Sequence, residues 1–157
     1  MTDKWRSIDI DALDPDSHLA PADLFPTSSV TPAQSHADIT DISNQIRTQL
    51  SQGNFAAALQ MALDTAPYAS DDQTKETHAR TVFETLCSIK NNNADVGVFV
   101  KSLSSEQRDT LIKYLYRCMG STYGQKQGAL LLNWFERCVD VVGVGSIARF
   151  LTDRRTV

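Results

Sequence analysis

A chain of 157 residues with 19 acidic and 15 basic side chains has the length for one domain with a real core, at a net charge of −4. That acidity, with no basic run, argues against nucleic acid as the main partner. No window nears the roughly 18 consecutive apolar residues that a membrane-spanning helix requires.

Met1 to Asp38 differs from everything after it. It holds Pro15, Pro21, Pro26 and Pro32, and seven aspartates against Lys4 and Arg6, a net charge of −5. From Ile39 the charges nearly cancel and only Pro67 remains. The division predicts an extended acidic, proline-rich arm and linker over 1–38 and a helical domain over 39–157. The start, Met1-Thr2-Asp3-Lys4-Trp5, lacks the basic-then-apolar layout of a signal peptide, so a cytoplasmic protein is expected. Ile8 and Ile10 alternate with Asp9 and Asp11, the period-two pattern of an extended segment with one apolar edge. Alone, such a segment leaves large apolar residues wet, so Trp5, Ile8, Ile10 and Leu13 read as anchors for another protein's groove. Trp5 folding back on its own body is the alternative. Leu24-Phe25-Pro26 is a weaker second anchor, and Thr27 to His36 reads as linker.

The body predicts helices in series. Ile39, Ile42, Ile46 and Leu50 mark the first, with Asp38 as its N-cap and Gly53 as its stop. Asn54 caps the second, Phe55 to Leu63, whose small residues permit a close neighbour. Asp71 or Asp72 opens a long third helix with Ala79, Val82, Phe83, Leu86 and Ile89 on its face, ended by Asn91-Asn92-Asn93. Val96 to Leu103 is a short fourth helix, although Gly97 and the valines also suit a strand. Ser104-x-x-Gln107 forms a capping box for the fifth, carrying Leu111, Ile112, Leu115 and Met119. Gly120 and Gly124 bracket a loop. The sixth bears Leu130, Leu131, Trp134, Phe135, Cys138 and Val142. Gly143-Val144-Gly145-Ser146 breaks it, and a last short helix carries Ile147, Phe150 and Leu151, with Ser146 as N-cap. The expected fold is all-α, a compact array of about six to seven antiparallel helices behind the arm.

No catalytic constellation emerges. Gly143-x-Gly145-x-x-Ala148 fits a dinucleotide fingerprint, but only nine residues follow it, too few for the next strand and acid. Cys87, Cys118 and Cys138 read as buried reduced thiols. His78 lies about 13 Å along the helix from Cys87, out of reach for a thiol–imidazole pair. No C-x-x-C or H-x-x-x-H spacing supports a metal site, and no cofactor is expected. Trp134 and Phe135 point about 100° apart on a helix, so either both enter the core or one meets a partner. Arg149, Arg154 and Arg155 form a basic helix end that suits the dipole and also an acidic partner surface.

Several stretches carry a family resemblance. Trp5-Arg6-Ser7-Ile8-Asp9-Ile10-Asp11 resembles the aromatic-Arg-x-hydrophobic-Asp-hydrophobic-Asp opening of subunit 5, the smallest subunit, of the actin-related protein 2/3 complex. Gly53-Asn54 through Ala58-Leu59, and Leu111-Ile112-Lys113-Tyr114-Leu115-Tyr116, are similar to two further family segments. The most specific match runs from Ala129 through Leu132, Trp134 and Glu136 to Gly143-Val144-Gly145-Ser146-Ile147-Ala148-Arg149, then Thr152, Arg154, Thr156 and Val157. The resemblance implies an all-helical, non-catalytic subunit of a seven-subunit assembly that nucleates branched actin filaments. It implies a body packed against the β-propeller subunit and subunit 4, and an arm that reaches actin-related protein 2 through Trp5, Arg6, Ile8, Asp9, Ile10 and Asp11. Trp134, Arg149, Arg154 and Arg155 are the body's candidate partner-binding residues. The rival readings are a free-standing helical adaptor with an acidic partner-binding arm, and a thiol enzyme, which would need a depressed thiol pKa.

Overall fold

The computed structural model describes residues 34–91 and 95–157. Within them the chain is helical throughout: α1 (His36–Ser51), α2 (Phe55–Asp64), α3 (Asp72–Asn91), α4 (Val96–Ser102), α5 (Ser105–Gly120), α6 (Thr122–Gln125), α7 (Gly128–Val142) and α8 (Gly145–Thr152). The all-α reading of the body holds. Segment 96–102 resolves as helix because Asp95 caps it, its carboxylate accepting from the Gly97 amide at 2.9 Å.

Helix α1 begins earlier than its apolar residues indicated. Its N-cap is Ser35 and not Asp38: the Ser35 hydroxyl accepts from the Asp38 amide at 3.2 Å, and the Asp38 carboxylate accepts from the Ser35 amide at 3.0 Å. This reciprocal box satisfies two amides that a helix start leaves open. Just before it, the Gln34 amide donates to Ser70 Oγ at 3.0 Å, and the Ser70 hydroxyl donates to the Gln34 carbonyl at 2.9 Å. The start of α1 is thereby tied to the α2–α3 connection. Ile39 and Ile46 are fully buried, and between them lies buried Ser43, which accepts from the Thr81 hydroxyl of α3 at 2.9 Å.

Helix α2 buries Ala58, Leu59, Ala62 and Leu63, and its small residues let it lie against α1, α3 and α5. Asn54 precedes it as expected but caps nothing with its side chain, donating instead to Gln49 Oε1 at 3.1 Å. Asp71 stands ahead of α3, its carboxylate accepting from the Thr74 amide at 3.4 Å and the Thr74 hydroxyl at 2.5 Å.

Helix α5 is the hub, packing on α2, α3, α6, α7 and α8. The predicted box at its start is present, Gln107 returning a bond to the Ser104 amide at 2.9 Å. Its Nε2 also donates to Asp64 at 2.8 Å, joining α5 to the end of α2. The expected loop between Gly120 and Gly124 is instead a helical turn, α6, capped by the Ser121 hydroxyl. Gly124 is there for proximity and not for flexibility: a Cβ would sit 1.9 Å from the Cys118 carbonyl oxygen. Gly143, at φ 80°, does supply the left-handed conformation that ends α7. Ser146 is not the N-cap of α8. Val144 holds that position, and buried Ser146 donates to the Gly143 carbonyl at 2.9 Å.

Candidate partner-docking site

Burial separates the aromatic pair of α7. Trp134 is 0% exposed and packs within the core cluster, which corrects its assignment as a partner-binding residue. The α7 face that carries Leu131 and Cys138 turns it into the molecule, where no partner reaches it. Phe135 is half-buried and meets Tyr116 of α5 edge-on, with ring centroids 5.4 Å apart.

Tyr116 also seats α8. Phe150 stacks on it with centroids 4.2 Å apart and planes 5° from parallel. Arg149 then fixes the rotation of α8, forking onto both carboxylate oxygens of Asp109 at 2.7 and 2.8 Å. With Phe150 and Ser146 turned inward, the opposite face of α8 faces solvent. Val144 is 71% and Leu151 73% exposed, with Ala148 exposed and Ile147 half-buried between them. Their spacing places them along one side of the helix. Leu132 of α7 is a further large exposed apolar residue, at 59%. Val144 and Leu151 are thus large apolar groups left in water on one side of a short helix. Sequence inspection recorded Ile147, Phe150 and Leu151 together and did not separate the buried side from the exposed one. The contact between Tyr116 and Phe150 decides that.

The basic end is less available than its composition indicated. Arg149 is paired with Asp109, and Arg155 with Asp153 at 2.7 Å. The Arg155 guanidinium also lies 5.2 Å from the Tyr68 ring centre. Arg154 is exposed and forms no ion pair among the described residues. The anchor residues Trp5, Arg6, Ile8, Asp9, Ile10 and Asp11 lie outside the described residues.

The tail after α8 is clasped by buried cations. Lys113, 6% exposed at its side chain, binds Asp153 at 2.7 Å and lies over the Tyr68 ring. Lys75 donates to the Thr156 hydroxyl at 3.1 Å, Arg117 donates to the Val157 carbonyl, and Val157 itself is buried. Arg155 first, and Lys113 second, hold the Asp153 carboxyl well below its ordinary range against the opposing effect of burial.

The remaining reactive groups are set against nucleophilic chemistry. Burial pushes the Cys118 and Cys138 thiols up to about 12, and burial together with Glu84 raises Cys87. A thiol nucleophile needs the opposite shift. Cys87 lines a shallow groove of about 440 Å³ with Arg47, Leu50, Phe83, Glu84 and Ser88, spanned by an Arg47–Glu84 ion pair at 3.0 Å. His78 is fully buried between the Tyr114 hydroxyl at 2.8 Å and the Thr65 hydroxyl at 3.3 Å. Desolvation lowers its pKa to about 4.

That shift sets a pH dependence. The unfolded chain takes up a proton on His78 near pH 6.5, whereas the folded chain resists until about 4. Stability should therefore fall as pH drops from about 6.5 to about 4, by up to roughly 3 kcal/mol. Urea unfolding across that range should show the slope, and His78→Gln should flatten it. An unchanged slope in the variant would assign the effect to other groups.

The family model of the ARP2/3 complex 16 kDa subunit, p16-Arc, matches residues 4–157. The chain belongs to this family. Its similarity to actin-related protein 2/3 complex subunit 5 of Saccharomyces cerevisiae is 42% identity, covering 100% of both chains. Similarity to subunit 5-C of Xenopus laevis is 31% over 98% of this chain and 95% of that one. The human subunit 5-like protein is 27% identical, over 100% of this chain and 97% of that one. The p16-Arc match thus takes in the stretch Trp5 to Asp11 as well as the helical body, with α8 and its tail included.

Proposed function

We propose that this chain is a non-catalytic structural subunit of an actin-related protein 2/3 complex, acting in branched-filament nucleation in the cytoplasmic actin cytoskeleton. The observation that carries this reading is the p16-Arc match from residue 4 to residue 157, with full-length similarity to subunit 5 of yeast. The exposed stripe Val144, Ile147, Ala148 and Leu151 supports a body that docks on other subunits, for which the β-propeller subunit and subunit 4 are the proposed partners. Arg154 lies beside it as a cation for an acidic rim.

A tagged pull-down from native cytosol tests the assignment. It should recover a stoichiometric seven-subunit set with two actin-related proteins. Leu151→Asp, at an exposed position, should reduce that recovery while leaving the melting temperature of the chain in place. Recovery of the chain alone, or with shifting partners, would favour the adaptor.

The segment over 1–38 is proposed to tether actin-related protein 2 through Trp5, Arg6, Ile8, Asp9, Ile10 and Asp11. A linker of about 28 residues from Asp11 to Ile39 spans roughly 30 Å as a coil and up to about 90 Å extended. With the body docked, such a tether raises the anchor's local concentration to about millimolar, so a weak pocket suffices to retain a moving subunit. Deleting residues 1–18 should lower both nucleation rate and retention of actin-related protein 2. Unchanged values for both would exclude the tether.

A further inference from the structure

The tail beyond α8 holds one hydroxyl that the docking reading does not use. Thr156 is exposed, lies in non-helical chain, and follows Arg154 and Arg155 directly. Its Oγ1 accepts from the Lys75 ammonium at 3.1 Å, and Lys75 is only 8% exposed. A buried ammonium whose hydrogen bond goes to a neutral hydroxyl is poorly matched, since burial penalises the charge and a hydroxyl returns little of it. Consistent with this, desolvation lowers the Lys75 pKa, opposed by Asp72 one turn earlier. Arg117 reaches the neighbouring residue, donating to the Val157 carbonyl while its other nitrogen meets Glu76 at 3.3 Å. Glu76 is the other carboxylate facing this corner, and it is already shared with Arg80 at 3.2 Å.

We propose that Thr156 is a phosphorylation site for a basophilic serine/threonine kinase, and that its phosphate locks the C-terminal segment onto α3 and α5 through Lys75 and Arg117. Thr156 is exposed in non-helical chain, and of the two arginines before it that supply the positive charge such kinases read, Arg154 is exposed while Arg155 must leave Asp153 to be read. In the transfer, the threonine oxygen bonds to the γ-phosphorus of ATP and the bond from that phosphorus to the β-bridging oxygen breaks. ADP leaves, and the hydroxyl proton passes to the base of the kinase. The product places a charge of about −2 and three acceptor oxygens beside an ammonium that now has a hydroxyl. Charge-assisted bonds to Lys75 and Arg117 replace a neutral one. The tail follows α8 directly, so the lock also steadies the stripe that runs from Val144 to Leu151. Only that last consequence rests on the docking reading.

The full chain, folded, is treated with a recombinant basophilic kinase and ATP, and the phosphate is mapped by mass spectrometry. Phosphate on Thr156, with Thr156→Val as the blank for other hydroxyls, is the expected result. Amide exchange over 153–157 should then slow by about tenfold, as one added charge-assisted bond would give. The slowing should vanish in Lys75→Met and persist in Lys75→Arg, which keeps the charge. No phosphate on Thr156 overturns the site. Phosphate with unchanged or faster exchange, or slowing that survives in a folded Lys75→Met chain, overturns the lock. None of these readouts depends on assembly with other subunits.

Discussion

Trp134→Ala should lower the unfolding free energy by about 3–5 kcal/mol, seen as a fall in the urea midpoint with little change in slope. The indole is fully enclosed and is the largest side chain buried to that degree. Leu131 and Cys138 share its buried face of α7. Its Nε1 finds no hydrogen-bond partner among the described residues, so its contribution is packing and not polar bonding. Burying an unpaired N–H carries a cost, and Trp134→Phe should therefore lose far less than Trp134→Ala. A tryptophan at a subunit interface would behave the other way, with assembly lost and the isolated chain's stability retained. A stability change under about 1 kcal/mol would return Trp134 to the interface.

Asp153→Ala should cost a similar amount, about 3–5 kcal/mol, for an electrostatic reason. The variant leaves the Lys113 ammonium enclosed, with the Tyr68 ring 4.6 Å away and no carboxylate. The pairing is also felt in the Asp153 carboxyl, which Arg155 and Lys113 hold below its ordinary value of 3.8. Its stabilisation is present above that value and is lost as pH falls through the folded pKa, in a window below the one that belongs to His78. Adding Lys113→Met to Asp153→Ala should recover most of the loss, because a buried pair replaced by apolar groups is often close to neutral. A double-mutant cycle in urea measures this coupling. A cycle with no coupling would mean that the Lys113–Asp153 pair does not hold the tail.

The body's helices were legible where burial follows period 3.6. Ile46, Val82, Leu86, Leu111 and Leu115 all lie where their spacing placed them, in one core, and Ile39 is buried as well. The misses have local physical causes. Asp38 carries the residue type of an N-cap, yet it sits at the third helical position and bonds back to Ser35, so Ser35-x-x-Asp38 is the unit that marks the start. Gly124 carries the type of a loop residue, but the backbone of Cys118 passes too close for any side chain, and that proximity is tertiary. Lys113 stands among Leu111, Ile112 and Leu115 and is buried with them. Only a partner 40 residues away makes that tolerable, and no local periodicity can show it. The docking stripe was half legible. The apolar residues of α8 were visible as a set, but which of them face solvent follows from Tyr116 on another helix.

The hydroxyl pair between α1 and α3 has a consequence for alignment. Two helices meeting through aliphatic side chains alone can be re-seated by a full turn with little loss, because one row of methyl groups resembles the next. Ser43 and Thr81 meet at 2.9 Å inside that contact, where neither has water to fall back on. A shift of one turn would break this bond and leave each hydroxyl only the carbonyl four residues back in its own helix, Ile39 for Ser43 at 2.8 Å and Thr77 for Thr81 at 3.2 Å. The pair therefore acts as a register mark between the two helices, worth more in ruling out misalignment than in adding stability. The same two hydroxyls thereby set the place of α1 along α3.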